Sequence, residues 1–154
     1  FPATTMELKP MPSFRAMAPD DYPALLDLMR RTPGVSVRDA DTPEGLARFL
    51  ERNPGLSFVA EQDGRLVGCL MGGHDGRRGH LHHLAVNAGC RRRGVASALV
   101  ERCLAALERQ GIHKTHIDVY RDNAAGNGFW ERAGWTRRDD THRFSIVRGG
   151  SKNA

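Results

Sequence analysis

The chain has 154 residues, a length that fits one compact domain, and a domain of that size buries roughly 70% of its unfolded surface without needing staples. Hydrophobic residues make up 40% and charged residues 27%, close to the globular norm, which excludes wholesale disorder. No apolar run approaches the ~20 residues of a membrane-spanning helix, so no membrane partner is expected. The net charge of +5 rests on arginine, since only Lys9, Lys114 and Lys152 of 23 basic residues are lysine. Arginine suits bidentate grips on phosphate and carboxylate; the same bias also follows from genome base content. Cys69, Cys90 and Cys103 form no CxxC pair, which points to a reducing compartment, the cytoplasm, and against a disulfide framework.

Residues 1–13 carry three prolines and no periodicity, and they read as a flexible arm without the pattern of a secretory signal. A short strand is expected over Phe14–Met17. A helix capped by Asp20, with Pro23 in its first turn, then runs to Pro33-Gly34. Thr42 or Asp41 caps a second helix, with Pro43 at its start and Asn53-Pro54-Gly55 at its end. Asp63-Gly64 joins two strands, Ser57–Gln62 and Arg65–Met71, as a hairpin. A glycine-rich turn over residues 72–79 leads to a strand, His80–Val86. Apolar residues recur at helical spacing from Arg93 to Gln110, and Gly111 stands at the helix stop. Thr115–Tyr120 reads as a strand and Asn123–Arg132 as a short helix. Two final strands, Trp135–Arg138 and Phe144–Arg148, are expected to pair, with residues 149–154 as a tail. The whole is one α/β domain on a mixed sheet, spanning residues 14–148.

The informative stretch runs from Asn87 to Ala96, between the His80–Val86 strand and the long helix. A helix leaves its first four N–H groups without intrahelical partners, and Ser, Thr, Asp or Asn usually caps them. Positions 88–93 hold none of these, but three arginines, with Gly94 just inside. Free donors, a positive dipole end and cations make an anion site. Gly94 lets a ligand approach the backbone, and Ala96 and Ser97 are too small to shield the amides. The P-loop and Rossmann motifs are both absent.

Arg91-x-x-Gly94-x-Ala96 resembles the [QR]-x-x-G-x-[GA] pyrophosphate loop of the GNAT superfamily, the general N-acetyltransferases. The segment from Asn123 to Trp135 is similar to the family's N-x-x-A-x-x-x-Y-x-x-x-G-F stretch. The likeness covers roughly residues 14–147 and suggests a small stand-alone bacterial-type member. It implies a sheet whose fourth and fifth strands splay apart around coenzyme A, with acetyl-CoA as co-substrate and no metal. Amides of Arg91, Arg92, Arg93, Gly94, Val95 and Ala96 would hold the pyrophosphate, with Ser97 beside them. The backbone of Leu84, Ala85 and Val86 would pair with pantetheine like an added strand, Asn123 would touch the same arm, and Trp130 would stand at the cofactor.

Two positions depart from that pattern. The family tyrosine that protonates the departing thiolate falls on Trp130, whose indole cannot act as an acid near neutral pH. A thiolate leaves readily and takes its proton from water, and Tyr120 is a substitute acid. Gly126 replaces the usual alanine. In relatives that acetylate lysine, a glutamate precedes the end of the fourth strand by six residues, and that count from Val86 gives His80. A neutral imidazole is a reasonable base at pH 7. In a regular strand His80 and His82 share a face and His83 points the other way.

The reading is direct transfer of an acetyl group to a primary amine on a small molecule or peptide. Charge on the carbonyl oxygen would develop against a backbone N–H near Val86, and Cys90 is structural. A non-catalytic acyl-CoA sensor of the same fold remains an alternative, and a homodimer is compatible with either. His74, His80, His82 and His83 lack the Cys or acidic partners of a zinc site. Arg77-Arg78, Arg91–Arg93 and Arg137-Arg138 lack the interleaved aromatics of a nucleic-acid module, and no nucleic acid is expected. The acceptor side implied by the fold is residues 31–41; Asp39 and Asp41 there, and Glu44 just beyond, are either amine-attracting groups or helix caps.

Overall fold

The computed structural model describes residues 10–154, so the expected arm lies outside the described residues up to residue 9. Strands β1 (Ser13–Ala16), β2 (Phe58–Gln62), β3 (Arg65–His74), β4 (Gly79–Val86) and β5 (Thr115–Ile117) form one sheet in sequence order. β1 to β4 pair antiparallel and β4–β5 pair parallel. The helices are α1 (Tyr22–Arg30), α2 (Pro43–Arg52), α3 (Val95–Arg109) and α4 (Ala124–Arg132). Among the described residues no helix is long and apolar enough to cross a membrane.

Local chemistry sets these bounds. Asp63 and Gly64 both have positive φ, 53° and 73°, as a two-residue hairpin turn requires. Thr42 caps α2, its hydroxyl accepting from the Gly45 N–H at 3.0 Å. α1 departs from its expected cap at Asp20. A 3-10 turn over Pro19–Asp21 precedes it and Asp21 is the boundary residue, its carboxylate taken by Arg15 and the Ala18 N–H. β3 runs on to His74, past the point where a turn was expected, because its glycines permit close approach. A Cβ on Gly72 would lie 2.3 Å from the Leu56 carbonyl, and one on Gly73 would lie 2.9 Å from the Asn53 side chain.

Alternation along the strands divides the core. On one face Leu99, Cys103 and Leu107 of α3 pack on Leu56, Leu70 and Leu81. On the other Leu25, Leu28 and Met29 of α1, with Leu46 of α2, pack on Val59, Cys69, Met71 and Ala85. Cys69 and Met71 face one layer while Leu70 between them faces the other, the period-two signature of a strand buried on both sides. Burial pushes the Cys69 and Cys103 thiols up to about 12, so both behave as small hydrophobes.

The two expected C-terminal strands do not form. Trp135 packs against the α3 core, but residues 136–150 make no backbone–backbone hydrogen bond among the described residues. The run Thr136–Asp140 has no apolar alternation to bury, and its charges pair along the chain: Arg137 with Asp139 and Arg138 with Asp140. Phe144 and Ile146, left without a partner strand, are 92% and 84% exposed.

Candidate active site

β4 and β5 pair only over Gly79–Leu81 and Thr115–Ile117. Beyond Leu81 the two chains part, so β4 residues 82–86 have β3 on one side and no strand on the other. The expected splay is therefore present. At its apex β4 bulges. Met71 pairs with His82 and Cys69 with Ala85, so His83 and Leu84 together oppose Leu70 alone. His83 takes a left-handed backbone, φ 55°, and its carbonyl accepts from the Cys69 thiol at 3.3 Å.

The bulge corrects one sequence-based expectation. His83 was to point away from His80 and His82, but the extra residue breaks the alternation. Its Nε2 instead lies 2.7 Å from Asp41 Oδ1, on the α1–α2 side of the sheet. His80 and His82 do share a face, with rings stacked at 6.0 Å between centroids, and His116 of β5 meets His80 at 5.6 Å. His82 also meets Phe49 edge-on. Burial, then the neighbouring His83 and His80, hold the His82 pKa below the ordinary imidazole value. His116 is lowered too, by burial, by His80 and by the cations Lys114, Arg138 and Arg78. Burial works against the charge on Asp41, yet hydrogen bonds from His83 and from the Arg38 N–H outweigh it and keep the carboxylate below its usual range.

The residues expected to hold phosphate lie at the start of α3. Gly94 is the N-cap with φ 79°, no side chain caps it, and the first helical bond runs from the Ala98 N–H to the Gly94 carbonyl. The N–H groups of Val95, Ala96 and Ser97 therefore precede the ladder. A Cβ on Gly94 would meet no atom within 4 Å. Arg91 and Arg92 are exposed. The Arg93 side chain turns back to the Pro10 carbonyl at 2.6 Å and to Gln62 at 3.4 Å, bracing the loop against the edge of the sheet. Leu84, Ala85 and Val86 form the β4 arm of the V.

The remaining expected residues are Trp130, Asn123 and Tyr120. Trp130 is only 7% exposed and joins an aromatic cluster with Phe129 and Trp135, ring centroids 4.9 and 4.7 Å away. Asn123 caps α4, accepting from the Gly126 N–H at 3.0 Å, and its amide nitrogen abuts Gly34. Tyr120, three residues past β5, is 49% exposed. Its hydroxyl shares a hydrogen bond with Ser36 at 3.0 Å and accepts one from Arg38 at 3.1 Å, which together hold its pKa below that of a free phenol.

Residues 35–41 thus bridge the mouth of the V, from His83 on β4 to Tyr120 beyond β5. Neither acid of this loop is open to solvent chemistry alone. Asp41 is held by His83, and Asp39 accepts from the Ser151 hydroxyl and N–H. Sequence reasoning marked the loop but not Ser36 or Arg38, whose meeting with Tyr120 spans more than eighty residues and leaves no local pattern. No group of three or more His, Cys, Asp or Glu residues able to hold a metal occurs among the described residues.

Comparison with known proteins agrees with this geometry. The profile of the acetyltransferase (GNAT) family matches residues 22–135. An acetyltransferase of Pectobacterium atrosepticum is 38% identical over 119 residues, covering 77% of this chain and 83% of that protein. The fold is similar to that of the PaiA N-acetyltransferase from Thermoplasma acidophilum in complex with coenzyme A, with a TM-score of 0.73 and 18% identity over 84% of this chain and 92% of the other. It is also similar to the apo aminoglycoside 6'-N-acetyltransferase of Acinetobacter haemolyticus, with a TM-score of 0.71 and 17% identity over 89% and 99%. An uncapped helix start, a splayed strand pair and a family profile spanning both lead to one assignment: the chain belongs to the GNAT family of acetyltransferases.

Proposed function

We propose that the chain transfers an acetyl group from acetyl-CoA directly to a primary amine. The observation that carries this reading is the opening of the β4–β5 V beside an uncapped α3 N-terminus. Three amides there precede the helical ladder and Gly94 leaves the approach clear. That surroundings suit a pyrophosphate: donors, a positive dipole end and the exposed Arg91 and Arg92 converge without a competing carboxylate cap. Acetyl-CoA supplies an acyl group already activated as a thioester.

The chain's own residues do the rest. Amides over Arg91–Ala96 hold the phosphates, with Ser97 alongside. The unpaired arm of β4 at Leu84–Val86 aligns an extended ligand as a strand would, and Asn123 borders it. A backbone N–H near Val86 meets the charge that grows on the carbonyl oxygen. His80, on the acceptor face, takes the ammonium proton so that a neutral amine attacks. Tyr120 serves as acid for the departing sulfur, and the lowered pKa of its hydroxyl moves in the direction that task needs. Holding both reactants in line supplies much of the acceleration, and no covalent enzyme intermediate is needed.

The test is calorimetric titration with acetyl-CoA and CoA, with ATP and a short RNA as controls at two salt concentrations. Micromolar, CoA-selective binding supports the reading. Equal, salt-sensitive binding to all four polyanions overturns it, because the arginines would then form only a basic patch. Selective binding without turnover across a panel of amines would favour the acyl-CoA sensor instead.

A further inference from the structure

We infer that the acceptor amine carries an anionic oxygen group, carboxylate or phosphate, and that Arg38 binds it. The inference rests on the acyltransfer reading above and names its substrate class.

Arg38 sits in the loop bridging the mouth of the V, three residues before Asp41, which reaches the β4 bulge through His83. Among the described residues its guanidinium bonds to neutral oxygens alone, the Tyr120 hydroxyl at 3.1 Å and Asn153 Oδ1 at 3.1 Å. Several acids of this region are already engaged, while Asp122 acts on Tyr120 without an ion pair among the described residues. Asp41 is bound by His83 and by the Arg38 N–H, and Asp39 by Ser151. Asp118 pairs with Arg143 at 2.7 Å and Asp140 with Arg138. Among the described residues no carboxylate lies within ion-pairing distance of Arg38, so its charge is directed to solvent at the acceptor end of the cleft.

The guanidinium is also preorganised. Tyr120 and Asn153 fix it from two sides, and Ser36 fixes Tyr120 in turn. A planar guanidinium held this way retains N–H groups for a bidentate carboxylate or phosphate, and little side-chain entropy is left to lose. An amine with an anionic group at the far end places that group on Arg38 and its nitrogen toward the histidines of β4.

The experiment uses matched pairs that differ in the anion alone: γ-aminobutyrate against propylamine, and phosphoethanolamine against ethanolamine. Each is titrated into the CoA-loaded full chain and assayed for acetylation with acetyl-CoA, using wild type and Arg38→Gln. The anionic member of at least one pair should bind roughly tenfold or more tighter, the scale of a hydrogen bond to a charged group. Which pair responds distinguishes carboxylate from phosphate. In Arg38→Gln that preference should collapse in KM, beside any fall in kcat for both members of a pair through the lost bond to Tyr120, while acetyl-CoA affinity stays at the wild-type value. Equal binding within both pairs, no binding of either anionic member, or a preference that survives Arg38→Gln would each overturn the inference. Failure of acetyl-CoA itself to bind would instead overturn the acyltransfer reading, so the two failures are distinct.

Discussion

His83 Nε2 and Asp41 Oδ1 are 2.7 Å apart, and this one hydrogen bond joins the bulge of β4 to the loop that enters α2. It holds a non-glycine residue in a left-handed conformation, φ 55°, of a kind that costs about 1–3 kcal/mol when unsupported. Strand β4 therefore owes part of its shape to a residue more than forty positions earlier.

Removing that bond should be visible in equilibrium unfolding. Asp41→Ala is expected to destabilise by about 1.5–3 kcal/mol at pH 7, the range for hydrogen bonds to charged groups. Asp41→Asn should cost less because it keeps an acceptor. The native carboxylate titrates below its unfolded value, so its contribution is full above pH ~4 and is lost as pH falls through the lower native value. The gap between wild type and Asp41→Ala in urea denaturation should close in acid. A gap that persists at pH 2 would mean the effect is packing.

His82 should remain neutral at pH 7, since burial, His83 and His80 all lower its pKa. Its unfolded form takes up a proton near pH ~6.5 while the native form does not. The unfolded state thus binds more protons in that window, and stability falls as pH drops below it. Nuclear magnetic resonance titration of the His82 imidazole should give a midpoint below that of a free histidine. His82→Phe should reduce the decline of thermal stability between pH 6.5 and 5.

His80→Ala should lower kcat at neutral pH by roughly 10²–10⁴, the usual worth of a general base. The acid limb of the pH–rate profile should flatten with it. A variant that loses rate but keeps the wild-type limb would show that His80 only packs against His82 and His116.

Gly94→Asp would put a carboxylate where the free α3 amides point. Acetyl-CoA binding should weaken by roughly a hundredfold or more, as anion repulsion and self-capping of the amides act together. Gly94→Ala separates the backbone effect. Its Cβ meets nothing, so only the left-handed strain at φ 79° remains, about 1 kcal/mol of stability by thermal melts.

Trp130→Ala is expected to cost about 3–5 kcal/mol, as for other buried aromatic truncations. Trp130→Tyr, which restores the residue usual in the family, should also destabilise because a hydroxyl enters the cluster between Phe129 and Trp135. Chemical denaturation of the two variants checks both.

What was legible in the sequence was local. Asp63-Gly64, Thr42-Pro43, the α3 periodicity with Gly111, and the uncapped Gly94 each act within a few residues, and each appears where expected. Gly72 and Gly73 misled, because a glycine needed for close approach inside a strand looks like one needed for a turn. His83 misled because a bulge shifts the alternation by one and depends on pairing with β3. Trp130 lies on the family tyrosine in sequence, but its direction is set by Phe129 and Trp135. Arg38 and Ser36 carried no signal, since their partner Tyr120 comes to them only through the fold.

The C-terminal segment has a consequence for how the molecule would be observed. From residue 136 to 150 no amide has a backbone partner among the described residues. Those protons should trade with deuterium at the rate of a free peptide, while amides in the paired β3–β4 ladder wait for larger openings. One molecule therefore carries its own zero of protection. A ligand that slows exchange at residues 84–86 while leaving 136–150 at that zero would be reporting occupancy of the cleft rather than a general tightening of the chain.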